Sequence, residues 1–95
     1  MTHDNLKVFA KKYIWWETPD IAIERPDHVL AQVMNLGTFE DIVLLSKLAG
    51  NESLIQVLKK AEPGWFSQKS WNFWHYKLGL SHLGEVPPIP QRIIP

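Results

Sequence analysis

Residues 67–80 read SQKSWNFWHYKLGL, a segment that contains five aromatic or imidazole rings. At about 3.6 residues per helical turn, Trp71 and Trp74 fall on one stripe of a helix, while Phe73 and Tyr76 fall on the opposite stripe. A helix that is apolar on nearly all sides is unsuited to the surface of a lone small domain. The segment therefore predicts a helix that is either central to the fold or docked on another molecule, which is typical of a binding module.

The length of the chain and its lack of cysteine narrow the class of protein. With 95 residues it is long enough for one domain with its own core, and without cysteine it excludes disulfides and thiolate metal sites. No apolar run approaches the roughly 18 residues of a membrane-spanning helix, and the first twelve residues lack the hydrophobic segment of a secretory signal. These features predict a cytoplasmic protein that does not associate with membranes.

The ten basic and ten acidic residues cancel, but they are unevenly distributed. Residues 1–12 carry three lysines against one acidic residue, residues 13–58 carry seven acidic residues against two basic ones, and residues 59–95 carry five basic residues against two acidic ones. No segment has the concentrated basic surface with which a dedicated nucleic-acid binder neutralises phosphates. The distribution suits a charged protein partner, and scattered solvated charges explain it equally well.

Helical spacing and helix caps recur along the chain. Asp4 is a predicted N-cap, Thr18 and Pro19 fit an N-cap and a first helical position, and Thr38 and Ser67 are predicted N-caps of later helices. The predicted inward residues are Leu6, Phe9, Ala10, Tyr13, Val29, Leu30, Val33, Met34, Leu36, Phe39, Ile42, Val43, Leu45, Ala49, Leu54, Val57, Leu58 and Ala61. Strand and hairpin signals are missing. The sequence thus predicts an all-α fold, a compact array of five or six short helices.

The composition changes near residue 83, since four of the seven prolines fall in the last nine residues. Proline fixes φ and lacks an amide hydrogen, so we expect a helical domain over residues 1–82 and a proline-rich, extended C-terminal arm over residues 83–95. The apolar residues of this arm are Val86, Ile89, Ile93 and Ile94. An extended segment has little entropy to lose on an aromatic surface, and both packing on its own domain and docking on another chain fit this arm.

Motifs for catalysis or metal binding are missing from the sequence. The four histidines show neither the i, i+4 pairing of a helical zinc site nor a neighbouring thiolate, and the serines lack a nucleophile elbow. We therefore predict a protein that is not an enzyme and uses no metal or cofactor. His75 borders the stripe of Trp71 and Trp74, where its ring suits either a backbone carbonyl at the edge of the core or an acidic group of a partner.

Four short runs follow one another in a recognisable order, and they are YIWW at residues 13–16, VLAQVMNLG at 29–37, WFS at 65–67 and WNFWH at 71–75. In these runs the chain resembles a family of small bacterial proteins of unassigned function, over roughly residues 13–90. Members look like compact helical domains and are often encoded beside AbiEii-type nucleotidyltransferase toxins, for which they are suspected antitoxins. The resemblance implies a nucleotidyltransferase partner, bound by protein contact, and an acidic middle segment facing a basic surface of that partner fits electrostatically.

The sequence predicts a protein-interaction module. Its large rings, together with the leucines of four amphipathic helices, exceed what an interior of this size needs, and the surplus is expected at a partner surface. The candidate partner-binding residues are Trp15, Trp16, Trp71, Phe73, Trp74, His75 and Tyr76. The same rings also fit the interface of a homodimer.

A small nucleic-acid-binding transcriptional regulator is the alternative. Residues 54–78 place two predicted helices on either side of a Pro-Gly turn, as in a helix-turn-helix, and the lysines available for phosphate contacts are Lys59, Lys60, Lys69 and Lys77. The second helix, however, offers mainly tryptophans where a recognition helix offers polar side chains to base edges. Nucleic-acid binding is therefore the less favoured prediction.

Overall fold

The computed structural model describes residues 1–82 and 84–91, and within them the chain forms five helices and no strand. The helices are α1 (His3–Tyr13), α2 (Pro19–Ala22), α3 (Pro26–Leu36), α4 (Phe39–Lys59) and α5 (Gln68–Lys77). The predicted all-α fold is thus confirmed. Gly50 kinks α4 because its φ of 79° and ψ of 159° are not helical, and this divides α4 into a first half (39–49) and a second half (51–59).

The central helix of the fold is α3. It packs against α1, α4 and α5. Its buried residues are Val29, Leu30, Ala31, Val33 and Met34. The aromatic segment, which the sequence presents as a candidate for this central place, forms α5 and packs on α3 with one face only. Its opposite stripe, Phe73 and Tyr76, lies at the surface.

Side-chain caps begin α1, α4 and α5. Thr38 and Ser67 accept hydrogen bonds from the backbone amides three residues later, at 3.2 Å each, so both predicted caps are confirmed. The prediction for α1 is wrong, because Thr2 rather than Asp4 is the N-cap and accepts an amide hydrogen bond at 3.2 Å. Asp4 instead lies in the first turn, where the helix dipole favours a carboxylate.

The predicted inward faces are correct for most helices and wrong around the turn from α3 to α4. Leu36, Phe39 and Val43 are 60%, 82% and 37% exposed. Leu36 is the last residue of α3 and lies at the surface. For Phe39 and Val43 the reason is the rotation of α4, which turns the stripe containing the fully buried Leu45 toward the core. A neighbouring stripe that is also apolar is therefore left outside.

Residues 84–91 contain neither helix nor strand and lie against α5. The Trp71 indole donates a hydrogen bond to the Pro87 carbonyl at 2.8 Å, and the Gly84 amide donates one to the Tyr76 hydroxyl at 3.3 Å. The arm residues that pack against the core are Val86 and Ile89. In its described part the arm thus packs on its own domain, which is one of the two arrangements that the sequence allows. The predicted arm positions that lie outside the described residues are Leu83, Ile93 and Ile94, with the rest of 92–95.

None of the helices in the described part of the chain has the length and apolarity needed to cross a membrane.

Trp74 fastens α5 to α3. Its side chain is fully buried, and its indole N–H donates a hydrogen bond to the Met34 carbonyl at 2.9 Å. This carbonyl lies in the last turn of α3, where helix carbonyls lack an amide partner within the helix. The amide four residues later, that of Thr38, instead donates to the Tyr13 hydroxyl at 3.3 Å. The indole therefore satisfies an acceptor that would otherwise be buried without a donor.

Trp74→Phe removes this donor and leaves a cavity beside α3. We expect the free energy of unfolding to fall by about 2–4 kcal/mol, from lost packing and an unpaired carbonyl. Urea denaturation followed by circular dichroism measures it. The matched control is Phe73→Leu, at the neighbouring half-exposed ring, which should cost less than about 1 kcal/mol. Equal losses in both variants would contradict the anchoring role of Trp74.

Candidate functional site

The structure divides the seven predicted partner-binding residues between the core and the surface. The buried ones are Trp71, Trp74 and His75, each with 5% or less of its surface exposed. The exposed ones, with exposed fractions from 38% to 79%, are Trp15, Trp16, Phe73 and Tyr76. In the chain as folded, only the second group is accessible to a partner. The first group forms part of the core.

His75 is held within its own helix. Its Nδ1 lies 2.7 Å from the Trp71 carbonyl oxygen, and its ring packs against the Trp71 indole at 4.3 Å between centroids. Because a carbonyl oxygen only accepts, Nδ1 carries the proton and donates this bond. Of the two partners that the sequence suggests for this ring, the structure shows the backbone carbonyl.

Trp15 and Trp16 lie in the turn between α1 and α2. Ile14 before them is fully buried, and it fixes the turn to the core. The two indoles pack edge to face, with 5.6 Å between ring centroids, and both remain exposed. A role for this pair in partner binding stays a prediction.

Three adjoining cavities form a shallow depression: the first two lie between α4 and α5 near the end of α3, and the third lies beside them on residues of α4 alone. Their volumes are about 390, 330 and 310 Å³. The first two share Ile42 and Phe73 as lining residues, and the last two share Phe39, Val43 and Lys47, so the cavities run into one another. We term this depression the α4–α5 groove.

Four of the exposed large apolar side chains in the described part of the chain line this groove. Phe39, Val43 and Leu44 line it from α4, and Phe73 lines it from α5. A contiguous apolar surface of this kind marks an interaction site more often than isolated exposed residues do. Of these four residues, the sequence-based prediction of partner contacts included Phe73 alone. The sequence does show two apolar stripes in the first half of α4, with residues 39 and 43 on one and residues 42, 45 and 49 on the other, but periodicity does not state which of them is exposed.

Polar contacts of Lys12, Tyr13, Thr38 and Asp41, which we term the Asp41 cluster, join the first turn of α4 to α1. The Tyr13 hydroxyl donates a hydrogen bond to the Asp41 carboxylate and accepts one from the Thr38 amide at 3.3 Å. The Lys12 ammonium lies 2.6 Å from the same carboxylate. These contacts fix the start of α4, and with it the position of Phe39, relative to α1.

Gly37 allows α4 to follow closely on α3. A Cβ atom at this position would collide with the Val33 carbonyl oxygen and would lie 3.3 Å from Cγ1 of Ile42. Its φ of −63° is accessible to any residue, so space rather than backbone conformation requires glycine here. The close turn brings the groove-lining stripe of α4 beside α5.

The unevenly charged segments of the sequence neutralise one another in the fold. The described residues form four ion pairs, and each joins two different segments: Lys7–Asp20 at 2.7 Å, Lys12–Asp41 at 2.6 Å, Arg25–Glu62 at 3.1 Å and Lys60–Asp27 at 4.0 Å. Lys47, Lys69 and Lys77, which line the groove, form no salt bridge within residues 1–82 and 84–91. The groove thus combines an apolar floor with unpaired positive charge.

Comparisons of the chain with protein-family models, curated proteins and solved structures give no match. Among the residues that the structure describes, no three histidine or acidic side chains are grouped as a metal site. The interpretation of the groove therefore rests on its geometry and charge.

The Asp41 cluster makes stability depend on pH. Hydrogen bonds from the Lys12 ammonium and the Tyr13 hydroxyl hold the pKa of Asp41 below its ordinary value of about 3.8. A carboxyl whose pKa is lower in the folded chain stabilises the fold above its unfolded pKa, and this contribution is lost as pH falls through the folded value. We therefore expect the wild type to lose more unfolding free energy than Asp41→Asn between about pH 5 and pH 2.5.

Urea denaturation at stepped pH measures this difference. The matched control is Glu52→Gln, which changes an exposed carboxylate in the second half of α4 that takes part in none of the four ion pairs. Its pH profile should parallel that of the wild type. Parallel profiles for all three proteins would show that the Asp41 contacts do not stabilise the fold.

Proposed function

We propose that the chain is a non-catalytic protein-interaction module whose contact surface is the α4–α5 groove. The observation that carries the proposal is the continuous exposure of Phe39, Val43, Leu44 and Phe73 along one depression. These side chains lie on helices that are fixed to the core by Trp74 and by the Asp41 cluster. The surface is therefore preorganised, which lowers the entropic cost of binding.

The size of the apolar surface is adequate for a specific complex of moderate affinity. Complete burial of an apolar side chain of this size contributes about 1.5–3 kcal/mol, and two phenylalanines at one site resemble the central anchors of protein interfaces. Association itself costs at least about 4 kcal/mol. The four side chains are 37–82% exposed and together have about two complete side chains left to bury, which offsets the lower end of this cost. Polar contacts at the rim would add specificity.

A nucleotidyltransferase is the first partner to test, and the resemblance in four short runs supports this choice. The charge contacts expected of this complex differ, however, from those that the acidic middle segment suggests in the sequence. Asp20, Asp27 and Asp41, which belong to the acidic middle segment, are paired with lysines of the same chain. Antitoxin-like binding through the groove would therefore use apolar contacts and acidic groups of the partner, instead of a basic nucleotide-handling surface.

The nucleic-acid alternative has one observation in its favour. Lys69 and Lys77 line the groove on either side of the exposed Phe73 ring, and bases stack on aromatic rings flanked by cations. Lys60, which the sequence also suggests for phosphate contacts, lies 4.0 Å from Asp27 instead. The predicted lysines thus do not act as one basic surface, and this function ranks second.

Phe39→Ser tests the proposed function without disturbing the fold. Because the side chain is 82% exposed, we expect a change below about 0.5 kcal/mol in unfolding free energy. We expect the Kd for the protein encoded by the adjacent gene to rise at least about tenfold, since an anchor of the interface is lost. Isothermal titration calorimetry measures the Kd. Val8→Ser, at a residue of α1 that is 67% exposed, is the control and should leave the Kd unchanged.

Two results would contradict parts of this proposal. Equal effects of Phe39→Ser and Val8→Ser would move the contact surface away from the groove. Light scattering of the two purified proteins that shows only separate species would reject the adjacent gene product as partner. Binding of an oligonucleotide that falls steeply between low and physiological ionic strength would favour the nucleic-acid alternative.

A further inference from the structure

We propose that the occupant of the α4–α5 groove is an acidic amphipathic helix of a partner protein. The inference rests on the proposed function and specifies the chemistry of the partner. It combines the shape of the groove, the chemistry of its floor and the charge at its rim.

The shape of the groove suits a helix. The first half of α4 and α5 form the walls of its first two cavities. Phe39, Val43 and Lys47 follow one another along α4 at intervals of four residues, between the second cavity and the third. Such a row is a ridge against which a second helix packs. From residue 39 to residue 47 the ridge is about 12 Å long, which two to three turns of a partner helix would cover. The described part of the chain has no strand edge to which an extended peptide would add.

The apolar floor of the groove favours large apolar side chains on the partner. Ile42 and Val43 are aliphatic, and Phe39 and Phe73 present rings at opposite walls. A helix inserts such anchors from one face, at spacings of three and four residues. The partner segment therefore carries large apolar residues at i, i+3 or i+4, and i+7.

The lysines at the rim of the groove favour acidic residues on both sides of the apolar face of the partner helix. Lys47 and Lys77 line the middle cavity from the two walls, and Lys69 lines the cavity beside it. Glu40 is the one acidic residue among the lining residues of the three cavities, and it lies at the far end from Lys69. None of the three lysines has a salt-bridge partner among the described residues. Carboxylates on both sides of the apolar face of the partner helix would complement these charges.

The same charges argue against two other occupants. A second copy bound groove to groove would bring its own Lys47 and Lys77 against the same lysines, and like charges brought together disfavour association. A nucleic acid could stack its bases only on the Phe39 and Phe73 rings at the walls, because the aliphatic floor of Ile42 and Val43 offers neither a ring nor a hydrogen bond. Glu40 would repel its phosphates.

The test is a display selection of random 16-residue peptides on the immobilised full chain. A parallel selection on Phe39→Ser identifies the peptides whose binding depends on the groove. We expect these peptides to combine helical spacing of apolar residues with an excess of aspartate and glutamate. Synthetic versions are then titrated against variants by fluorescence anisotropy at low salt.

Charge-reversal variants test the acidic preference directly. We expect the double variant Lys47→Glu with Lys77→Glu to bind the selected peptides at least about fivefold more weakly. Peptides with lysine in place of each acidic residue should regain affinity for this variant. The matched control is Lys11→Glu with Lys59→Glu, which reverses two exposed lysines that do not line the groove and should bind like the wild type.

The possible outcomes separate this inference from the proposed function. Groove-dependent peptides that are neutral or basic, or that are unaffected by the double variant, would overturn the acidic partner and leave the interaction module standing. A selection without groove-dependent peptides would overturn both. Phe39-dependent dimerisation of the free chain, or Phe39-dependent binding of a 15-nucleotide single strand tighter than any peptide, would also overturn the acidic helix.

Discussion

The hydrogen bond from the Trp74 indole to the Met34 carbonyl determines where the rest of the molecule lies. It is buried, and it joins the middle of α5 to the end of the central helix α3. Trp71, Trp74 and His75 together occupy the buried face of α5. At about 100° per residue Phe73 lies nearly opposite Trp71 and His75, so burial of that face leaves its ring at the groove.

The other wall of the groove depends on the turn between α3 and α4. Three residues after Met34 the chain passes through Gly37, where a side chain would collide with α3, and it then enters α4 through the Thr38 cap. Tyr13 contacts both Thr38 and Asp41, so α1 fixes the rotation of α4 about its axis. With this rotation Leu45 faces the core and Phe39 faces solvent. The groove is thus a result of core packing and does not require a partner for its formation.

Much of the fold follows from the sequence, because its signals are local. The Thr38 and Ser67 caps and the apolar face of α1 need only side chains within a few residues of one another. The candidate site does not follow in the same way. In the first half of α4 two adjoining stripes are apolar, and periodicity does not state which of them the core will use. That choice is made by Tyr13, which is 28 residues from its Asp41 partner.

The aromatic helix α5 is a second case in which the sequence does not decide which side chains are buried. Its composition correctly indicates more large rings than the core buries, but it does not indicate which of the rings are buried. Trp71 and Trp74 find backbone carbonyls for their indole N–H groups, one in the arm and one in α3. A buried tryptophan needs such an acceptor, and both acceptors lie far away in sequence or in a segment without regular structure. Phe73 has no polar atom to satisfy, so its exposure costs the fold no hydrogen bond.

At this surface the charged residues contribute little to folding and matter for the choice of partner. The four ion pairs connect segments distant in the chain, but exposed pairs contribute little to stability, and the fold does not depend on pairing every lysine. Lys47 and Lys77 have no salt-bridge partner in the described part of the chain and lie beside apolar side chains, where their aliphatic stems can cover the groove while their ammonium groups remain hydrated. An incoming helix that displaces these stems uncovers the apolar floor and meets the charges at once. Apolar contact then supplies the affinity, and the lysines select a partner helix of negative charge. Affinity and selectivity therefore come from different residues of one groove.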